Sequence, residues 1–277
     1  TGVDDAGLRR KEAAIAAGVE RHQALLSDPL EVLRCLGGRE IAAMAGAILG
    51  ARMARVPVIL DGFIACSAAA VLERAAVRVL EPGPQPLSTA MGVHGIPGLT
   101  AWAGVRRILE PRPGQTVLVS SAAGAVGSVA GQLCKAAGCR VVGIAGGAAK
   151  GAIVTGEFGF DACVDYRDPG FASALRAACP DGIDGYFDNV GGAVLELALS
   201  LLRPHARVVL CGLSDQYNRA ERPPGPNLGP VIGARARLEG LVVYDHLADL
   251  DRCRAELAAM IQAGTLRYRE HLHEGLA

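Results

Sequence analysis

The residues best suited to chemistry lie in the run Gln115 to Ala130, an apolar stretch, Thr-Val-Leu-Val, that turns through Ser120, Ser121 and small residues into a second apolar segment. This reads as a buried strand entering a helix. Ala122, Gly124 and Gly127 occupy the three small positions of a dinucleotide-binding turn, where they let the backbone bend, approach a pyrophosphate and pack helix on strand; Ala123, Ala125 and Val126 complete the turn. The N-H groups at the start of such a helix, with its partial positive charge, favour an anion without any basic side chain. Small residues also serve plain packing at strand-helix junctions, and that alternative stands at this point. The next apolar strand, Arg140 to Gly146, ends where an NAD site places an acid for the ribose 2′-hydroxyl, and no acid is there. Gly146-Gly147-Ala148-Ala149-Lys150 offers instead an open pocket with one cation. That suits a 2′-phosphate, hence NADP, although a lysine at a helix start is also a common solvated charge.

These residues need a scaffold, and from Gly98 onward the pattern supplies one. The spacing predicts a helix to about Leu109, then strand 116–120, helix 125–137, strand 140–145, helix 148–157, strand 162–166, helix 171–178, strand 183–189 and helix 192–202. Strand 206–211 follows, then a polar loop to Pro226, helix 228–235, strand 238–244 and helix 247–263. Strands that are apolar throughout and alternate with helices imply an α/β, doubly wound parallel sheet of the Rossmann type, covered on both faces. Ligands to such sheets sit at the carboxyl ends of the strands. That rim would gather Ser120 to Gly127, Ala145 to Lys150, Tyr166, Asn189, Gly212 and the loop 214–226.

Upstream, the expectation is a smaller, mostly helical α/β segment. Ala13–Leu26 is read as a helix, and Ser27-Asp28-Pro29 as the cap of another, Leu30–Leu36. Gly37-Gly38 interrupts it. A small-residue helix, Arg39–Arg55, precedes the strand Val58-Ile-Leu60 and a helix over Ala65–Ala75. Three prolines within Pro82–Pro86 exclude helix and strand, so the domain boundary falls just before them. The resulting division is residues 1–77, a linker 78–97, a nucleotide-binding domain 98–265 and a last segment 266–277.

Composition narrows the partners. The 28 basic and 28 acidic residues balance and are mixed along the sequence, which argues against nucleic acid and against an anionic membrane surface. No apolar run approaches the roughly 20 residues of a spanning helix, and the first residues do not resemble a secretory signal, so a cytoplasmic protein is expected. The eight cysteines are scattered singly and read as free thiols. His271 and His273 lack two further ligands nearby, and no metal is expected.

Several ordered blocks carry a resemblance. Leu87–Ala101, Ala122–Ser128, Cys179-Pro-Asp-Gly182, Phe187-Asp-Asn-Val-Gly-Gly192, Cys211-Gly212 with Gln216-Tyr-Asn218, and Tyr268-Arg-Glu-His271 resemble the zinc-free medium-chain dehydrogenase/reductases. Among these the likeness is to the NADP-dependent leukotriene, prostaglandin and alkenal double-bond reductases. The match runs from about residue 78. It implies hydride transfer from NADPH to the β-carbon of an α,β-unsaturated carbonyl, the small-molecule substrate. It also implies that Gly124 and Gly127 cradle the pyrophosphate and that Lys150 and Tyr166 hold the 2′-phosphate. Asn189, Cys211 and Gly212 would line the cofactor, Thr100 would lie near the nicotinamide, and Tyr217 would bond the nicotinamide ribose or the developing enolate as the catalytic residue. The family's substrate domain has no match in this sequence, so impaired turnover is the expectation.

Residues 1 to about 76 are similar to something else. Asp28–Gly50 with Val56–Phe63 resemble the interior of nicotinate-nucleotide-dimethylbenzimidazole phosphoribosyltransferase, a cobalamin-biosynthesis enzyme, without that family's phosphate-binding loop or catalytic glutamate. Asp61 is read as a cap or turn residue. Three readings therefore remain open: an enone reductase, a phosphoribosyltransferase fragment, and a non-catalytic nucleotide-binding module. In the last of these, apolar helices 39–55 and 65–76 would pair with another copy as a homodimer.

Overall fold

The computed structural model describes residues 5–25, 28–53, 68, 69, 72, 85–217 and 224–270. The strand expected at 58–60, Asp61, most of the helix at 65–75, Asn218 and both late histidines, His271 and His273, lie outside the described residues. The chain divides into two compact units, Thr1–Glu81 and Pro82–Ala277.

The first unit is helical where described: α1 (Asp5–Arg21), a 3-10 turn (Gln23–Leu25), α2 (Pro29–Leu36) and α3 (Gly38–Met53). Helix α1 starts eight residues before the expected Ala13, because the Leu-Arg-Arg-Lys-Glu stretch is made of strong helix formers that carry no apolar period. It stops at Arg21, short of Leu26. The cap of α2 is as expected: Asp28 Oδ1 accepts from the amides of Leu30 (2.9 Å) and Glu31 (3.3 Å), with Pro29 in the first turn. Its core is small. Ala45, Ile48, Ala68, Ala69 and Leu72 are buried, with Leu33, Ile41 and Met44 packed around them.

The second unit begins with a 3-10 turn (Leu87–Met91) and α4 (Ile96–Ala103). It then builds β1 (Thr116–Ser120), α5 (Ala125–Ala136), β2 (Arg140–Ala145), α6 (Ala148–Gly156), β3 (Ala162–Asp165), α7 (Phe171–Ala178), β4 (Ile183–Asp188) and α8 (Gly192–Leu199). Completing it are β5 (Leu202–Leu210), α9 (Gly229–Ala234), β6 (Arg237–Gly240) and α10 (Leu250–Gln262). The six strands are parallel in the order β3-β2-β1-β4-β5-β6. This is the doubly wound sheet the alternation of elements implies. Successive side chains feed opposite faces: Val117, Val119, Val141, Phe187 and Val209 enter one core with Leu99, Trp102 and Leu133, while Leu118, Val142, Ile144, Tyr186 and Val208 enter the other with Leu175 and Leu199.

Several boundaries differ from the sequence reading, each for a local reason. Helix α4 passes at Gly104 into a π-helical turn ending at Leu109, where Glu110 takes φ +44° and its amide bonds Val105 O. Helix α8 stops at Leu199 rather than 202, because Leu202 already pairs with Ile183 in the sheet. The next pair is Gly185 with Arg207, so residues 203–206 bulge out of β5 around His205 at φ +65°. The apolar run 238–244 forms strand only to Gly240, where β5 ends and leaves it no partner, and it continues as a 3-10 turn over Val243–Asp249. No helix among the described residues is long and apolar enough to cross a membrane.

Candidate nucleotide site

The sheet order puts β1 between β2 and β4, so the chain leaves β1 to one side for β2 and β3 and returns to the other for β4 to β6. The crevice at that reversal, beyond the carboxyl ends of the strands, is where such sheets bind ligands. Ser121 leaves β1 at φ +52°, the Ala122 amide bonds Ile144 O at 3.0 Å, and the Gly124 amide bonds Ser121 O at 2.9 Å. Helix α5 then starts with no side-chain cap. Its first amides are left for a partner outside the helix. A Cβ built on Gly127 would lie 2.4 Å from Ser121 O, so only glycine lets the helix approach the turn this closely. Ala122 is fully buried beneath the turn, whereas Ser121 and Ala125 are exposed and Ala123, Gly124 and Val126 partly so. The turn is thus open to solvent.

The end of β2 forms a second part of the rim. Gly146 is buried, Gly147 takes φ +86°, and the exposed Lys150 follows in the first turn of α6. Across from it, at the end of β3, Tyr166 and Arg167 lie against the same bend: a Cβ on Gly146 would sit 2.7 Å from Arg167 Nε and 2.8 Å from Tyr166 Cε1. The arginine has no place in the sequence reading, though a basic residue directly after Tyr166 was the signal for it. Asp165, at the end of β3, is an acid beside this bend. Its two oxygens accept from the amides of Gly147 and Arg167, both at 2.9 Å, so it is fixed to backbone rather than presented to a ligand.

Between β1 and β4 the rim is tied by a buried polar node that the sequence reading did not assign. Asp188 is fully buried and accepts from Tyr186 Oη (2.6 Å), Ser120 Oγ (3.1 Å) and the amides of Val190 and Gly191 (3.1 Å each). Burial, together with the neighbouring carboxylate, drives the Tyr186 phenol well above its ordinary pKa, so it stays a donor. Asn189 closes the brace, its amide N-H bonding Ser120 Oγ and its side-chain Nδ2 bonding Ser120 O, each at 2.8 Å. Among the described residues its Oδ1, an acceptor, has no hydrogen bond of its own.

At the end of β5, the amides of Cys211 and Gly212 both bond Asp188 O (2.8 and 3.2 Å), joining this turn to the same node. Burial pushes the Cys211 thiol up to about 11, which leaves it protonated and unreactive at neutral pH. Tyr217 is 71% exposed, and its hydroxyl accepts from the Leu213 amide at 3.2 Å. Thr100 is buried in α4 and its hydroxyl donates to Ile96 O at 2.7 Å, a bond inside its own helix. The structure therefore brings Ala123–Gly127, Gly146, Lys150, Tyr166, Asn189, Cys211, Gly212 and Tyr217 to the strand-end loops, while Thr100 is placed on the covering helix. A separate cleft of about 250 Å³, lined in part by Gln115, Asp184 and His205, lies at the opposite, amino ends of the strands. Within it Arg207 pairs with Glu110, and Asp184 pairs with Arg203. Among the described residues, no group of three or more His, Cys, Asp or Glu is arranged to hold a metal.

Comparison with known proteins separates the two units. Residues 1–82 match a phosphoribosyltransferase family, and residues 125–262 match the zinc-binding dehydrogenase family. The chain is 42% identical over 199 residues to the NADPH-dependent curcumin reductase of Escherichia coli, covering 70% of this chain and 58% of that protein. It is 41% identical over 197 residues to rat prostaglandin reductase 1, covering 70% and 60%. A solved structure of CurA from Vibrio vulnificus in complex with NADPH superposes with a TM-score of 0.66 at 39% identity, over 70% of this chain and 60% of that one. The chain thus spans about 60% of the length of these relatives.

Proposed function

We propose that the protein, whose C-terminal unit matches the zinc-binding dehydrogenase family and resembles NADPH-dependent reductases, binds NADPH at the strand-end rim and acts as an oxidoreductase of the enone-reductase type. The observation that carries this reading is the uncapped, solvent-open turn Ala122–Gly127 at the reversal of strand order, held against β1 by a glycine that no larger residue can replace. The cofactor, when bound, supplies the hydride for the carbon-carbon double bond of a small α,β-unsaturated carbonyl.

This chain's residues then divide the work of binding and orientation. The amides of Ala123–Gly127 hold the pyrophosphate, and Lys150 and Tyr166 at the Gly146 bend hold the 2′-phosphate. With Asp165 fixed to two amides, no acid faces the ribose hydroxyl to favour NADH. Asn189 Oδ1 and the Cys211-Gly212 turn line the nicotinamide half, with Thr100 on the covering helix beside it. Tyr217 accepts from Leu213 and so keeps its own O-H to donate, either to the nicotinamide ribose or to the carbonyl oxygen on which charge develops.

Calorimetric titration of the protein with NADPH and NADH tests the reading. NADPH is expected to bind at least tenfold tighter, and Lys150→Ala to weaken NADPH by about 1.5–3 kcal/mol while leaving NADH nearly unchanged. Binding of neither nucleotide refutes the proposal, and oxidation of NADPH on addition of an alkenal measures the activity itself. The match of residues 1–82 supports a second reading for the first unit, a piece of nicotinate-nucleotide-dimethylbenzimidazole phosphoribosyltransferase. Formation of a ribazole phosphate would favour it.

A further inference from the structure

We infer that Arg167 is a second cation for the 2′-phosphate, reaching the Gly146 bend from β3 while Lys150 reaches it from α6; this rests on the NADPH reading above. The side chain is built into the bend. Arg167 Nε and Cζ would lie 2.7 and 3.0 Å from a Cβ on Gly146, and Nη1 3.8 Å from one on Gly147, so the guanidinium covers the exit of β2 where the adenosine ribose of a bound dinucleotide rests. Its backbone is fixed by Asp165 Oδ1, and its guanidinium stands 5.7 Å from the centre of the Tyr166 ring. The aromatic face keeps the long side chain ordered.

The guanidinium is also chemically available. Asp165, the acid beside it, has each oxygen accepting a backbone amide; the side-chain hydrogen bond of Arg167 goes to the neighbouring Tyr166, and among the described residues no carboxylate forms an ion pair with it. An exposed, stacked guanidinium presents a planar fork of N-H donors, the geometry that grips two phosphate oxygens at once. Lys150 supplies a point charge but no fork.

The competing role for such a guanidinium is stacking on the adenine, which would serve both nucleotides equally. The test is calorimetry on the full chain and on Arg167→Gln, Arg167→Lys and the double variant K150A/R167Q, with NADPH, NADH, adenosine 2′,5′-bisphosphate and 5′-AMP as ligands. Arg167→Gln is expected to weaken NADPH and the 2′,5′-bisphosphate by about tenfold or more, leaving NADH and AMP within about twofold, with partial recovery in Arg167→Lys. The double variant is expected to bind NADPH and NADH alike. Equal losses for all four ligands, or an unchanged preference for NADPH in Arg167→Gln, overturn the inference. An unmutated protein that does not prefer NADPH overturns the NADPH reading itself, a result visible before any variant is made.

Discussion

At the scale of single residues, the site depends on one buried carboxylate that never faces the crevice. Asp188 collects a tyrosine, a serine and two amides, and its carbonyl receives the Cys211 and Gly212 amides, so the ends of β1, β4 and β5 are positioned through it. Asp188→Asn replaces an acceptor with a donor facing two backbone N-H groups. The expected cost is about 2–3 kcal/mol in chemical denaturation, together with weaker nucleotide binding. Tyr186→Phe removes one neutral donor from a charged acceptor and should cost about 1.5–3 kcal/mol. In a double-mutant cycle the two should couple by about 0.5 kcal/mol or more, and strict additivity would argue that the node is not a unit.

At the scale of elements, helix α5 illustrates how much of the site was readable and what was not. Gly124 and Gly127 at their spacing, between an apolar strand and an apolar helix, point to the turn directly, since few backbones demand small residues in that pattern. Gly127→Val is expected to force α5 off Ser121 O, abolish binding of both nucleotides and lower stability by about 1–3 kcal/mol. Native-like affinity in that variant would remove the turn from the site. What stayed hidden depends on pairing across the sheet. The bulge at 203–206 arises because β4 offers one residue, Asp184, where β5 has four, and the apolar run Leu197–Leu202 looks helical until its end is claimed by Ile183. Likewise Asp188, at the end of β4, and Arg167, just past β3, draw part of their roles from across the sheet, Asp188 from Ser120 and Arg167 from the Gly146 bend, and no local pattern records that.

At the scale of the whole molecule, two compact units that match different families share one chain. Each has its own apolar cluster among the described residues. Calorimetric melting is expected to show two transitions, with NADPH at about 100 times its Kd stabilising only the later unit, by about 2.7 kcal/mol. A single transition raised as a whole by the nucleotide would mean that the units unfold together.

The locked state of Asp165 bears on how coenzyme choice in this protein can drift or be redesigned. Stripping the positive charge from the bend would leave no hydroxyl-binding acid in its place, because the resident acid holds up the loop itself. Installing one at position 146 would drive its first carbon into Tyr166 and Arg167. A change toward the unphosphorylated coenzyme is therefore expected to combine an acid at position 146 with replacement of Arg167 or Tyr166, whose side-chain ends occupy the space its first carbon would take.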